Sequence, residues 1–178
     1  SINRNAGFFM KVKARLDTLT DGVIAIIMTI MVLELPTNLA SGHVNLSSLF
    51  YAIAIYADSF AFVANIWFQQ TTLFTKVEKI SNKIIKLQIS LLFFLSLIPA
   101  MTNVMVADES NLPVMIYGAL YLIVTLMFAY ISHEVVNQQY TDKTDMRKVF
   151  QAIYGSDIII DIPLAIAGII VGYFYPKI

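Results

Sequence analysis

The sequence predicts an all-α, polytopic membrane protein, a single transmembrane domain that covers residues 1–178. Of its residues 58% are hydrophobic and 13% charged, with a mean hydropathy of +0.72. An ordinary soluble domain is about 45–50% apolar and about 25% charged. The apolar residues form five runs that are too long and too uniform for the alternating strands of a membrane barrel. A helix bundle in a bilayer is therefore expected.

Each run is long enough for a helix that crosses the hydrocarbon core, which takes about 20 residues. The expected spans are 19–35, 49–74, 84–106, 112–132 and 149–175. Pro36 closes the first span, because proline in a helix removes a backbone hydrogen bond. Gly155, Asp157, Asp161 and Pro163 weaken the first half of the fifth span.

The basic residues predict the orientation of these spans. They precede the first span and fill the connections between spans two and three and between spans four and five: Arg4, Lys11, Lys13 and Arg15; Lys76, Lys79, Lys83 and Lys86; Lys143, Arg147 and Lys148. The other connections, 36–48 and 107–111, contain no lysine or arginine. By the positive-inside rule, the N-terminus and both basic connections are expected to be cytoplasmic.

The composition argues against several classes of function. The chain has no cysteine, which excludes disulfides, zinc-thiolate sites and cysteine nucleophiles. Its net charge of zero argues against a nucleic-acid partner. His43 and His133 are far apart and belong to no H-E-x-x-H motif, and neither a phosphate loop nor a G-x-S-x-G elbow occurs. We therefore expect neither an enzyme nor a resident metal or cofactor.

Acidic residues inside the spans leave one alternative open. A charge at the bilayer centre costs at least about 2.5–3.5 kcal/mol, so such residues usually face protein or water and mark a pathway. Asp58 lies in the second span, and Asp157 and Asp161 share one face of the fifth because they are four residues apart. Adjacent carboxylates can share a proton, so a proton-coupled secondary transporter is the alternative.

One stripe of the first span has two interpretations. Gly22, Ile26, Thr29, Ile30 and Leu33 fall on a single face of a helix with 3.6 residues per turn. The stripe could pack helices together in an oligomer that does not conduct. It could instead surround a pore, where hydrophobic rings gate by dewetting and hydroxyls supply oxygen to a cation. Periodicity alone favours the packing interpretation.

A motif at the start of this span carries a family resemblance. Arg15 is followed by Leu19-Thr20-Asp21, then by a glycine and apolar residues, and Thr29 comes eight positions after Asp21. The pattern resembles Arg-x-x-x-Phe-Ser-Asp of the lysosomal potassium channel family, transmembrane protein 175 and its bacterial relatives, with Leu19 and Thr20 replacing Phe and Ser. Weaker similarities cover the later spans: Ser59-Phe60, Trp67, Leu73-Phe74, "SLIPAMTNVM" at 96–105, Tyr117-Gly118 and Ile162-Pro163-Leu164-Ala165.

The resemblance implies a potassium-permeable channel that favours potassium over sodium and conducts passively in a bacterial inner membrane. It implies a homotetramer in a lipid bilayer, with six helices per subunit and the first helix lining the pore for monovalent cations. The T-V-G-Y-G carbonyl filter is absent from this sequence. A sixth span would begin near "FYP" at residues 174–176, so the chain is expected to be truncated relative to the family.

The resemblance also implies roles for individual residues. Ile26 would form the hydrophobic constriction, Ile30 and Leu33 would continue the pore wall, and Thr29 would form the adjacent hydroxyl ring linked to selectivity, so that potassium passes close to Ile26 and Thr29. A structural polar network near the inner membrane surface would hold the first helix in place: Arg15, Thr20, Asp21, Trp67, Gln69 and Gln70. The two glutamines stand where the family usually has a histidine.

Overall fold

The computed structural model describes residues 2–35, 46–77, 80–107, 111–140 and 142–154, and all of its regular elements there are helical. The helices are α1 (Ile2–Met31), α2 (Leu46–Thr75), α3 (Asn82–Ser96), α4 (Ile98–Ala107), α5 (Asn111–Gln139) and α6 (Lys143–Tyr154). A 3-10 turn, Val32–Glu34, follows α1. The predicted all-α class is confirmed.

Within the described residues, three helical stretches are long and apolar enough to cross a membrane, namely Leu49–Thr75, Asn82–Val106 and Leu112–Gln139. They match the second, third and fourth predicted spans, although the last continues seven residues beyond its predicted end at 132. Its end is polar, which is why hydropathy placed the boundary too early.

The first and last predicted spans differ more from the structure. The first, 19–35, begins within α1 and runs past the end of that helix at Met31 into the 3-10 turn; α1 itself begins at Ile2, so the basic segment expected to precede the span is already helical. Charges at Arg15, Asp17 and Asp21 shorten the apolar part of that helix. Helix α6 begins at Lys143, six residues before the predicted fifth span, and ends its described part at Tyr154. Asp157, Asp161 and the rest of that span lie outside the described residues.

The third predicted span consists of two helices, because the α-helix is interrupted at Leu97. The Leu97 amide bonds the Phe94 carbonyl at 3.2 Å, a tight three-residue turn, and the Met101 amide resumes regular bonding to Leu97 at 3.0 Å. Pro99 lies in the first turn of α4, where its missing N–H costs nothing because that position has no intrahelical acceptor. Hydropathy cannot detect such a break, because both halves are equally apolar.

The core lies between α1, α2, α3 and α5. Helix α1 packs on α2 and α3, while α5 covers α3 and α4. The fully buried side chains at the centre are Ile24, Met31, Leu73, Ile84, Leu91, Leu95, Ile98, Val124, Phe128 and Ile131. Packing of this kind leaves each helix one buried stripe, so the remaining apolar surface faces lipid or another subunit.

Three buried hydroxyls join α2, α4 and α5. Ser59 Oγ lies 2.8 Å from the Tyr117 hydroxyl, and Thr102 Oγ1 lies 2.9 Å from Ser59 Oγ. Thr102 also lies 2.8 Å from the carbonyl of Ile98, the first residue after the helix break. This hydroxyl node therefore connects the broken third span to its two neighbours.

A candidate pore face and its polar anchor on the first helix

Among the described residues, one face of α1 and of the 3-10 turn that follows it is left uncovered. Ile26 is 58% exposed and Leu33 77% exposed, and Thr29 and Ile30 are exposed between them. On the opposite face Ile24 is 1% exposed. The stripe seen in the sequence is therefore the side of α1 that the other described helices leave exposed.

The hydroxyl of Thr29 has a defined orientation on this face. Its Oγ1 lies 3.0 Å from the Ala25 carbonyl and 2.9 Å from the Ile26 carbonyl, and donates to that backbone. Because the proton is directed at the helix, the oxygen lone pairs point away from it. An exposed hydroxyl in this state can accept a hydrogen bond or contact a cation.

A tryptophan and an aspartate connect α1 to α2. Trp67 Nε1 donates to Asp21 Oδ1 at 2.9 Å, across 46 residues of sequence. The bond lies five residues before Ile26, at the end of the candidate pore face that adjoins the basic N-terminal segment. It orients α1 about its own axis at that point.

A second, buried group of polar side chains lies beside this bond. Gln88 Nε2 of α3 donates to Gln70 Oε1 of α2 at 2.9 Å, and the same nitrogen lies 3.4 Å from Thr20 Oγ1 of α1. All three residues are buried. They join α1 to α2 and α3, the two helices that pack beside it.

Gln88 was missed by the sequence analysis. Its signal was a single amide in an apolar run, on the same helical stripe as Ile84, Leu91 and Leu95, all of which are buried. A polar residue on a buried stripe requires a partner. That rule could have identified Gln88, although not which partner it would find.

Two residues assigned to the network lie apart from these contacts. Arg15 is exposed, and Gln69 is buried, but neither takes part in the hydrogen bonds that join Asp21, Trp67, Thr20, Gln70 and Gln88. An ion pair on α1 instead joins Lys13 Nζ to Asp17 Oδ2, at 2.7 Å. The acids Asp157 and Asp161 lie outside the described residues, whereas Asp58 is exposed on α2.

Two concave surfaces flank α1. A polar pocket of about 190 Å³ is bounded by α1, α2 and α3 and is lined by the Asp21–Trp67 pair and by Thr20, Gln70 and Gln88. An apolar groove of about 300 Å³ runs between Ile26 and Ile30 of α1 and Pro99 near the helix break. Among the described residues, no group of three histidine, cysteine or acidic side chains could hold a metal ion.

These features define a multi-pass α-helical membrane protein whose first helix presents an unpacked apolar face with one outward hydroxyl. The family described as "Endosomal/lysosomal potassium channel TMEM175" matches residues 15–99, which contain that face and its anchor. A protein of Chryseobacterium sp. (strain P1-3) named as a potassium channel is 30% identical over 168 residues, covering 93% of this chain and 85% of the relative. The chain belongs to the TMEM175 family.

A solved structure shows the same fold. The crystal structure of a lysosomal potassium-selective channel TMEM175 homolog from Chamaesiphon minutus superimposes with a TM-score of 0.69 and covers 93% of each chain. The identity is 16%, so this likeness concerns the fold. The family resemblance expected from the sequence is confirmed.

Proposed function

We propose that this protein is a homotetrameric, passive potassium channel, with four copies of α1 around the pore. The single observation that carries the proposal is the exposed stripe of Ile26, Thr29 and Ile30 on α1, continued by Leu33 in the 3-10 turn that follows, while the other side of α1 is in the core. Large apolar side chains at this spacing, with a hydroxyl among them, can line an axis between copies of the chain. Membership of a family described as potassium channels, and a relative named as one, support it.

Ile26 is the proposed constriction. Four isoleucine side chains around an axis form an apolar ring, and such a ring blocks ions by excluding the water that hydrates them. Opening is then a widening or wetting of that ring. Ile30 and Leu33 continue the apolar wall away from the N-terminal end.

Thr29 is the proposed selectivity residue. Its lone pairs are directed away from the helix backbone, so four copies would offer a ring of oxygen atoms to a partly dehydrated cation. Sodium is smaller than potassium and holds its water more tightly. A narrow site that strips water and returns only a few hydroxyl contacts therefore penalises sodium more.

The polar contacts behind α1 serve as its anchor. The Asp21–Trp67 bond fixes the rotation of α1, and the Thr20–Gln88–Gln70 bonds fix its depth against α2 and α3. We assign Arg15 and Gln69 to the same inner-surface network. In this proposal the N-terminus is cytoplasmic and the protein lies in the bacterial inner membrane.

The test is reconstitution of the purified chain in planar bilayers under a potassium gradient. Discrete current steps with a reversal potential near that of potassium are expected. Saturable flux coupled to pH would instead support a proton-coupled transporter. An intact tetramer without current would support a membrane scaffold and overturn the channel.

A further inference from the structure

The polar pocket lies on the side of α1 opposite the proposed pore face. Its α1 residues run from Lys13 through Thr20 to Asp21, and at 100° per residue this face points about half a turn away from that of Ile26 and Thr29. The pocket has a volume of about 190 Å³. It is a space within one subunit, and its contents do not depend on conduction.

The charges that line the pocket do not balance. Lys13 and Asp17 neutralise each other across 2.7 Å. Asp21 is the third charged residue of the lining, and its described partner is the uncharged N–H of Trp67. The lining therefore carries one excess negative charge, which favours a monovalent cation.

Two buried amides in the wall each have an unmet hydrogen-bonding group. Gln70 is 2% exposed and Gln88 is 1% exposed, yet within the described part of the chain Gln70 Nε2 and Gln88 Oε1 have no hydrogen-bond partner. Proteins rarely leave a buried polar atom unpaired. A small rotation of Gln88 would let its oxygen accept from an occupant of the pocket.

One further residue of the lining, Trp67, indicates which kind of cation the pocket would bind. Trp67 lines the pocket, and the face of an indole attracts organic cations. We propose that this pocket binds a small organic cation of the ammonium or guanidinium class. Its N–H groups donate to the Asp21 carboxylate and the Gln88 carbonyl, and its charge lies beside the Trp67 ring.

The chain contains a single tryptophan, so its fluorescence reports on this pocket alone. The full chain in detergent micelles is titrated with guanidinium chloride at low millimolar concentration, at constant ionic strength set with potassium chloride. Urea, the neutral molecule of nearly the same shape, is the control ligand. We expect a saturable change in emission and a rise in melting temperature with guanidinium only. No saturable change, or an equal change with urea, would overturn the proposal.

Variants test the binding groups. Asp21→Asn is expected to weaken guanidinium binding at least about tenfold, and Gln88→Leu several-fold, whereas Asp145→Asn, an exposed carboxylate change on α6, is expected to leave it unchanged. Unaltered affinity in Asp21→Asn would refute the assignment. If that variant does not fold, Gln88→Leu and the comparison with urea decide the question. Because no current is measured, the outcome is independent of the channel proposal.

Discussion

Trp67 of α2 donates a hydrogen bond to Asp21 of α1 at 2.9 Å. This contact explains why an acidic residue is tolerated beside the apolar half of α1: the carboxylate has a fixed donor and lies on the rim of a polar pocket. It also separates the N-terminal part of α1, which carries the charged residues, from the part after Asp21, which carries the apolar stripe. A Cβ added to Gly22 would meet no described atom within 4 Å outside the backbone of its own helix, so α1 is open directly beside the anchor.

Replacing Ile26 by asparagine is expected to increase conductance several-fold and to reduce potassium selectivity, because a polar ring stays wet. Bilayer recordings of the reconstituted protein measure both. Ile123→Asn places the same change on an exposed face of α5 and serves as the matched control. Unchanged conductance and selectivity in Ile26→Asn would show that this residue does not line the pore.

Removing the Thr29 hydroxyl is expected to reduce the preference for potassium. We expect the potassium-to-sodium permeability ratio of Thr29→Ala to fall by about tenfold, which corresponds to about 1.4 kcal/mol. Thr29→Ser retains the hydroxyl and should retain most of the ratio. Reversal potentials under bi-ionic conditions give the answer, and identical values for Thr29→Ala and the parent chain would contradict the selectivity role.

The Asp21–Trp67 bond is expected to contribute about 1 kcal/mol of coupling to stability. Hydrogen bonds to charged groups are worth about 1.5–3 kcal/mol, and solvent reduces this value because both side chains are exposed. A double-mutant cycle of Asp21→Ala and Trp67→Phe, followed by thermal melting in detergent, isolates the pair. Strictly additive effects would mean that the bond does not hold α1.

The Gln70–Gln88 pair is expected to show a non-additive response. Gln88→Leu leaves the Gln70 oxygen buried without its donor, at a cost of about 1–3 kcal/mol. The double variant Gln70→Leu with Gln88→Leu removes both partners and should be closer to the parent in melting temperature. A double variant that is less stable than either single variant would argue against this pairing.

The hydroxyl node between α2, α4 and α5 is expected to stabilise the broken third span. Tyr117→Phe should lower stability by about 0.5–1.5 kcal/mol, because Ser59 loses one buried partner. Tyr51→Phe removes a hydroxyl from an exposed tyrosine of α2 and is the control. Equal melting temperatures for the two variants would assign the node no energetic role.

Much of the architecture was predictable from local properties of the sequence. Hydropathy placed three spans close to the helical stretches that contain Asp58, Gln88 and Val124. Periodicity placed Ile26 and Thr29 on one face, and motif spacing identified the family. The polar ends of helices were harder, because the N-terminal segment and the end of α5 are helical without being apolar, and hydropathy reports only the apolar part.

The sequence by itself determined that this chain is a membrane helix bundle and that α1 carries an amphipathic stripe, because hydropathy and helical periodicity depend on neighbouring residues alone. Only the tertiary structure decided that this stripe remains exposed while the opposite face of α1 is buried. It also decided that Gln88 meets Gln70 and Thr20, and that Trp67 meets Asp21. These contacts join residues 18 to 68 positions apart, and they form only when packing brings α1, α2 and α3 together.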